Sequence, residues 1–298
     1  MYSTDHTSLA QHAFPGSLAD RLAAQDPTRL GETMAALVQS LTRLLEDLRP
    51  TPCEYHAVIA FLTEVGHHSD VQRQEWVLLA DALGLSARME DATHQRPFGA
   101  TPDCGPGPFY RPDAPAMSNG ASISRDGRGV PLQVTGRVRS LGGTPVPAAS
   151  VETWQANGDG LYENQQPDRQ PEHNLRGRFA CDAQGRFTYR SVMPRGYALP
   201  TDGPVGRLLC ALNLPAMRPA HVHFRVSAPG FETLTTQIFD RADPAIGRDP
   251  VFGVLPGLLA EFHTIPPEER HGAGGRSLDL DLVLCPERQK RKTNGGEK

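Results

Sequence analysis

The residues RPAHVHFR at positions 218–225 place the tightest constraint on the fold. His221 and His223 stand two apart, and Val222, Phe224 and Val226 take the alternate positions. Period two is the repeat of a β-strand, which sends both imidazoles to one face and the apolar side chains to the other. Such a strand buries one face in a core and can offer two neutral nitrogen donors to a single metal on the other. Taken alone, the pair fits two packed or solvated histidines as well as two ligands. What decides between them is whether further donors converge on the strand.

The rest of the chain divides by period. Between residues 20 and 48, Leu30, Met34, Leu37, Leu41, Leu44 and Leu48 recur in steps of four and three, widened by Val38 and Leu45, which predicts an amphipathic helix. Val58, Phe61, Leu62 and Val65 predict a second, with Thr51 as its N-cap, Pro52 at its first helical position and Gly66 at its end. A third is expected over residues 70–83, with Trp76, Leu79, Ala80 and Leu83 on its apolar side and Gly84 as its stop. These stripes need a partner surface. They pack on each other and on the following domain, or the Leu30 to Leu48 seam meets the same seam of another subunit.

Residues 96–129 are rich in Pro, Gly, Asp and Ser and read as a connecting segment, in which Phe109 and Tyr110 either line a pocket or, more simply, anchor the loop. After Val130 the period becomes two. Alternating runs at 132–138, 151–155, 185–190, 220–226, 233–239 and 277–284, separated by turn signals and with no helices between them, predict an antiparallel β-sandwich. The Lys- and Arg-rich tail at 288–298 is expected to be disordered, its charges solvated. The expected organisation is therefore mainly β with α: a helical region over 1–95, a connection over 96–129, a β-sandwich over 130–287 and the tail.

A net charge of −4 argues against nucleic acid as a partner and leaves a small molecule as the better fit. Residues 1–20 carry no basic segment followed by an apolar run, and no stretch of 18 apolar residues occurs, so neither a signal peptide nor a membrane span is expected and the cytoplasm is the expected compartment. The five cysteines are scattered, odd in number and never spaced C-x-x-C, which suits reduced thiols.

Two tyrosines stand in turn-rich settings at strand ends: Tyr162 after NGDGL at 157–161, and Tyr197 within PRGYALP at 194–200. Sandwich loops cluster at the ends of the sheets, so both can reach the histidine strand. Each phenol by itself is more simply a packing group. Two phenolates with two imidazoles, however, make a site for a trivalent Lewis-acidic ion rather than for zinc.

Over residues 20 to about 285 the chain resembles the intradiol ring-cleavage dioxygenases, in their catechol and hydroxyquinol 1,2-dioxygenase branch. The matching pieces are RQEWVLL at 73–79, GPF at 107–109, DGLY at 159–162, NLRGR at 174–178, YALPTDG at 197–203 and RPAHVH at 218–223, in order and at the family's spacing. The resemblance implies one Fe(III) per chain held by Tyr162, Tyr197, His221 and His223, with Tyr197 as the ligand that leaves and acts as a base, and with Arg218 and Gln237 as catalytic groups beside it. It also implies an ortho-dihydroxy aromatic and O2 as substrates, with Pro108, Phe109, Val251 and Phe252 around the ring. The N-terminal helices would form a homodimer whose apolar tunnel can hold a phospholipid tail. YALPTDGPVG at 197–206 and DPVFGV at 249–254 are more similar to the hydroxyquinol branch. That favours benzene-1,2,4-triol, giving maleylacetate, over catechol or chlorocatechol, giving cis,cis-muconates. CGP at 104–106 and LNLPAM at 212–217 depart from the family pattern near the expected pocket. Two other classes remain on the residues alone. VTGRV at 134–138 with PVP at 145–147 resembles transthyretin-like domains, hence a non-catalytic binding module, and the histidine pair by itself suits a zinc hydrolase.

Overall fold

The computed structural model describes residues 28–70, 73–93, 96–266 and 274–287. The expected beginning of the first helix before residue 28 and the basic tail from Arg288 lie outside the described residues. The chain separates into two compact units, Met1–Glu64 and Val65–Lys298.

In the first unit, helix α1 spans Arg29–Leu48 and helix α2 begins at Pro52, running on to His67. Leu30, Met34, Leu37, Leu41, Leu44 and Leu48 all remain exposed along α1, so its apolar seam is not covered by the described residues of this chain. The start of α2 is a reciprocal box. The Glu54 amide donates to the Thr51 hydroxyl at 3.3 Å, while the Glu54 carboxylate accepts from the Thr51 amide at 2.7 Å and from its hydroxyl at 2.8 Å. Such a box satisfies amides that a helix start leaves without partners.

In the second unit, helices α3 (Glu75–Ala82) and α4 (Leu85–Thr93) follow each other across Gly84, whose φ of +70° turns the chain. The helix expected from residue 70 starts later, because Asp70 and Arg73 close a turn: the Arg73 amide donates to the Asp70 carboxylate at 2.7 Å and the Asp70 amide to the Arg73 carbonyl at 2.8 Å. The expected apolar side is also corrected. Glu75, Leu79 and Ala82 are buried, whereas Trp76 and Leu83 are exposed. Arg73 Nε at 2.8 Å and the Val205 amide at 3.1 Å draw the Glu75 carboxylate inward, which rotates the neighbouring tryptophan out.

Among the described residues the sandwich holds nine strands: β1 (Pro131–Ser140), β2 (Ser150–Gln155), β3 (Arg176–Ala180), β4 (Arg186–Val192), β5 (His221–Ser227), β6 (Leu234–Asp240), β7 (Leu259–Ala260), β8 (Phe262–Ile265) and β9 (Gly275–Leu284). One sheet has the order β4-β1-β9-β8 and the other β3-β2-β5-β6-β7. Pairing is antiparallel except for β1 with β9 and β6 with β7. For β1 and β9, the first and last strands, the whole intervening domain serves as the long crossover that a parallel pair requires. Leu132, Val134, Val151, Phe187, Tyr189, Leu278 and Leu282 meet Val222, Phe224 and Val226 of β5 in the core. The alternation along β5 therefore buries its apolar side and turns His221 and His223 to the outer face of the five-stranded sheet.

The expectation of a sandwich without internal helices is corrected by α5 (Pro204–Ala211), between β4 and β5. Its start, Gly203 followed by Pro204, is a helix-opening pair, since proline at the first helical position sacrifices an amide that would lack a partner anyway. Strand β3 escapes pattern reading because its first residue, Arg176, is buried although charged; Glu163 pairs with it at 2.6 Å.

Candidate metal centre

Three strands and two loops deliver side chains to the outer face of the five-stranded sheet. In register, His223 lies between Trp154 of β2 and Gln237 of β6, and His221 lies beside Phe239 of β6. Trp154 stacks on His223 at 4.7 Å between ring centroids and 8° between planes, which fixes that imidazole. Tyr162 and Tyr197 approach from two loops that pack backbone to backbone through glycines. A side chain on Gly160, where φ is +83°, would fall 2.7 Å from the Gly196 carbonyl, and one on Gly196 would fall 2.3 Å from the Arg218 carbonyl. Only glycine permits this approach. The Arg218 amide also donates to the Tyr197 carbonyl at 2.8 Å, so the loop bearing Tyr197 is tied to the residues that lead into β5.

The four rings converge. Centroid separations are 5.9 Å for Tyr162 and Tyr197, 5.6 Å for Tyr197 and His221, and 4.9 Å for His221 and His223. The Tyr162 hydroxyl, His221 Nε2 and His223 Nδ1 are buried without a hydrogen-bond partner. Buried polar atoms are nearly always paired, and each orphan costs about 1–3 kcal/mol. Three unpartnered atoms on rings that meet in one cluster are what a bound cation would satisfy. His221 Nδ1 lies 2.8 Å from the Pro219 carbonyl, a contact that places the ring proton on Nδ1 and leaves Nε2 as a lone-pair donor. No group of three His, Cys, Asp or Glu able to hold a metal occurs among the described residues, so any metal held here relies on the phenols.

The electrostatics suit a cation between anionic oxygens and neutral nitrogens. Burial, with the nearby Arg218 charge, lowers His221 to about 3. Burial followed by the neighbouring His221 and Arg218 holds His223 well below its usual value. Both imidazoles are thus neutral, ready to donate. Burial and the neighbouring Tyr197 push the Tyr162 phenol well above its usual value, so its phenolate forms only against a compensating positive charge. The set fits a ferric ion, whose positive charge would supply that compensation to two hard phenolate donors.

Arg218 is buried beside Tyr197, with NH1 3.3 Å from the Tyr197 hydroxyl and NH2 3.0 Å from Gln237 Oε1. Burial opposes its charge, but Tyr197 and Asp249 outweigh burial and keep the guanidinium protonated. Phe109 stacks on Tyr162 at 4.2 Å and meets Tyr197 edge-on at 5.9 Å. Gly107 approaches His223, and Pro108 between them is exposed. Val251 is half-buried on the neighbouring loop, while the Phe252 ring lies over Gly84 rather than over the four donors.

Several supporting residues were invisible to motif reading. Glu163, next to Tyr162, is buried between Arg176 at 2.6 Å and Arg111 at 3.2 Å, and Arg176 NH1 holds the Phe109 carbonyl at 2.6 Å. Asp249 takes the Arg218 fork, Nε at 3.1 Å and NH2 at 3.2 Å. The available signal was indirect: a buried arginine requires a carboxylate.

Comparison with known proteins gives a consistent picture. Residues 106–286 match the family model described as "Dioxygenase", and residues 27–101 match "Catechol dioxygenase N terminus". A hydroxyquinol 1,2-dioxygenase from Rhizobium sp. (strain MTP-10005) is 44% identical over 87% of this chain and 90% of its own length. Among solved structures, a hydroxyquinol 1,2-dioxygenase from Pseudomonas putida DLL-E4 superposes with a TM-score of 0.86 at 35% identity, covering 90% of this chain and 96% of that one. The catechol 1,2-dioxygenase from Pseudomonas arvilla C-1 superposes with a TM-score of 0.76 at 29% identity, covering 94% and 93%.

Proposed function

The chain belongs to the intradiol ring-cleavage dioxygenases, and from that premise we propose that it opens benzene-1,2,4-triol (hydroxyquinol) between its adjacent hydroxyl-bearing carbons, inserting both atoms of O2 to give maleylacetate. We also propose that Tyr162, Tyr197, His221 and His223 hold one Fe(III) per chain. The observation that carries this reading is the convergence of two phenols and two neutral imidazoles with three of their buried polar atoms unpartnered. The names of the relatives and the TM-scores, 0.86 for a hydroxyquinol enzyme against 0.76 for a catechol enzyme, support the triol.

When bound, the ferric ion supplies a Lewis acid for the ortho-diolate and an acceptor for its electrons. The protein's own groups do the rest. Tyr197, half-buried and held at its hydroxyl by Arg218 at 3.3 Å, accepts a proton from the diol. The fixed fork of Arg218 stabilises anionic character on the ring, and Gln237 keeps the fork aimed. Tyr162 stays in place under Phe109. Pro108, Phe109 and Val251 form the walls that face ring substituents, while Phe252, seated on Gly84, holds the loop that carries Val251.

The exposed leucine seam of α1 supports a homodimer through the N-terminal helices, and its apolar character suits a phospholipid tail as a further occupant. No helix among the described residues is long and apolar enough to cross a membrane. Five scattered cysteines, odd in number, support the reducing cytoplasm as the compartment.

The test is oxygen consumption by iron-loaded protein with the triol, catechol and chlorocatechols side by side. The expected result is one O2 per ring and the highest kcat/KM for the triol. No uptake with any diol would refute the reaction; a preference for catechol would refute the substrate.

A further inference from the structure

Asp249 stands at the junction of two parts of the site that motif reading treats separately. Its carboxylate is buried and accepts both Nε and NH2 of Arg218, at 3.1 and 3.2 Å. The same two oxygens accept backbone amides of the following turn, from Val251 at 3.4 Å and from Gly253 at 3.0 Å, and the Asp249 carbonyl accepts the Phe252 amide at 3.1 Å. One side chain therefore holds both the guanidinium that touches Tyr197 and the loop that carries Val251 and Phe252.

The turn it builds is strained. Phe252 adopts a φ of +57°, a left-handed conformation that bulky residues rarely occupy unless the surroundings impose it. Its ring, still 58% exposed, is seated on Gly84 at the joint between α3 and α4, where a side chain at Gly84 would come within 3.1 Å of the ring. Gly253 completes the arrangement from the other side: a side chain there would fall 3.0 Å from Arg218 NH2 and 3.1 Å from Asp249 Oδ2. The fork and the turn thus share one anchor, the Asp249 carboxylate, and pack closely at Gly253.

Resting on the reaction proposed above, we infer that Asp249 is a positioning residue that couples the aim of Arg218 to the shape of the 249–253 loop. It contributes to turnover through the guanidinium that faces Tyr197, and to the choice among ring substituents through the position of Val251, which the seating of Phe252 on Gly84 helps to fix. The residue touches neither substrate nor the metal donors itself. Replacing its carboxylate releases both partners at once, so rate and selectivity change together.

The experiment compares Asp249→Asn and Asp249→Ala with the wild-type full-length protein. Three quantities are measured: kcat and KM for the triol and for catechol in iron-loaded protein, the thermal midpoint, and hydrogen exchange of the Val251, Phe252 and Gly253 amides in metal-free protein. Asp249→Asn keeps the volume and one acceptor oxygen but not the charge. Its expected phenotype is a fall in kcat on the order of 100-fold, a changed ratio of kcat/KM between triol and catechol, and amide exchange in the turn faster by about tenfold or more, with a lowered midpoint because Arg218 stays buried without its anion. Asp249→Ala is expected to exaggerate all three changes. Should that variant fail to fold, Asp249→Asn decides on the same readouts. Faster exchange with wild-type kcat and selectivity would overturn the inference, as would a fall in kcat with exchange and selectivity unchanged. An active wild type with a normal Asp249→Asn variant sinks the inference alone. A wild type inactive on every diol sinks the proposed reaction and the inference with it.

Discussion

Tyr162 and Tyr197 bring the same phenol to the same cluster, yet they are held in opposite ways. Tyr162 is 1% exposed, stacked on Phe109 and followed by Glu163, whose carboxylate is locked between Arg176 and Arg111. Tyr197 is only half-buried. Its backbone is tied to Arg218, but its hydroxyl meets a single guanidinium nitrogen at 3.3 Å. One ligand position is thus built by burial and a charged scaffold, the other by a pinned backbone and a loosely held side chain. The difference teaches how one site can keep a metal and still exchange a ligand: rigidity is concentrated on one phenol and withheld from the other.

The largest expected effect falls on the rigid side. Tyr162→Phe removes the donor that nothing else can replace, so iron content should fall well below one per chain, the phenolate-to-iron colour should bleach and turnover should be lost. Metal analysis and visible absorption check this; a fully loaded, active variant would remove Tyr162 from the site. Tyr197→Phe should instead keep the iron, because three donors on fixed positions remain. Its kcat should fall by about 10²–10⁴-fold, the usual range for losing a general base. Loss of iron equal to that of Tyr162→Phe would erase the distinction between the two tyrosines. For Arg218→Lys, the fork that reaches Tyr197, Gln237 and Asp249 together becomes a point charge. The expected cost is about 10- to 100-fold in kcat with iron content unchanged.

Two smaller effects compare the scaffolds behind the phenols. Glu163→Gln leaves Arg176 buried without its anion, which should destabilise the fold by about 3 kcal/mol, measured by denaturant unfolding. On the Tyr197 side, the Arg73–Asp202 pair joins the loop beyond Tyr197 to the residues before α3, but Asp202 is largely exposed. Asp202→Ala should therefore shift the thermal midpoint by no more than about 2 °C. Equal destabilisation by the two substitutions would contradict the contrast.

The same contrast explains what could be read before the fold was known. Period two along β5 identified a strand, its buried face and the two histidines on the other face, because alternation is a local property of the chain. The Thr51 N-cap of α2 was legible for the same reason, whereas the reciprocal bonds of Glu54 came from the structure. The tyrosines were located by turn-rich surroundings and by family likeness, since nothing local distinguishes a ligand phenol from a packed one. What stayed hidden depends on partners distant in sequence. Strand β3 opens on an arginine that only Glu163 makes buriable, and the rotation of α3 follows from Arg73 and the amide of Val205 pulling Glu75 inward. Trp154 has no motif of its own, and Asp249 opens the DPVFGV stretch without any sign there of its role; their parts emerge from the register of β2 with β5 and from the fork of Arg218. Helix α5 was the one avoidable miss, as its glycine and proline announced a start.

The most direct test of a fixed and a movable phenol is the crystal structure of iron-loaded protein with the triol bound in the absence of oxygen. The account expects Tyr162 to remain stacked on Phe109 near its present 4.2 Å, while the Tyr197 ring swings away from Tyr162 and keeps its main-chain bond to Arg218. A complex in which Tyr162 leaves and Tyr197 stays, or in which neither phenol moves, would contradict it.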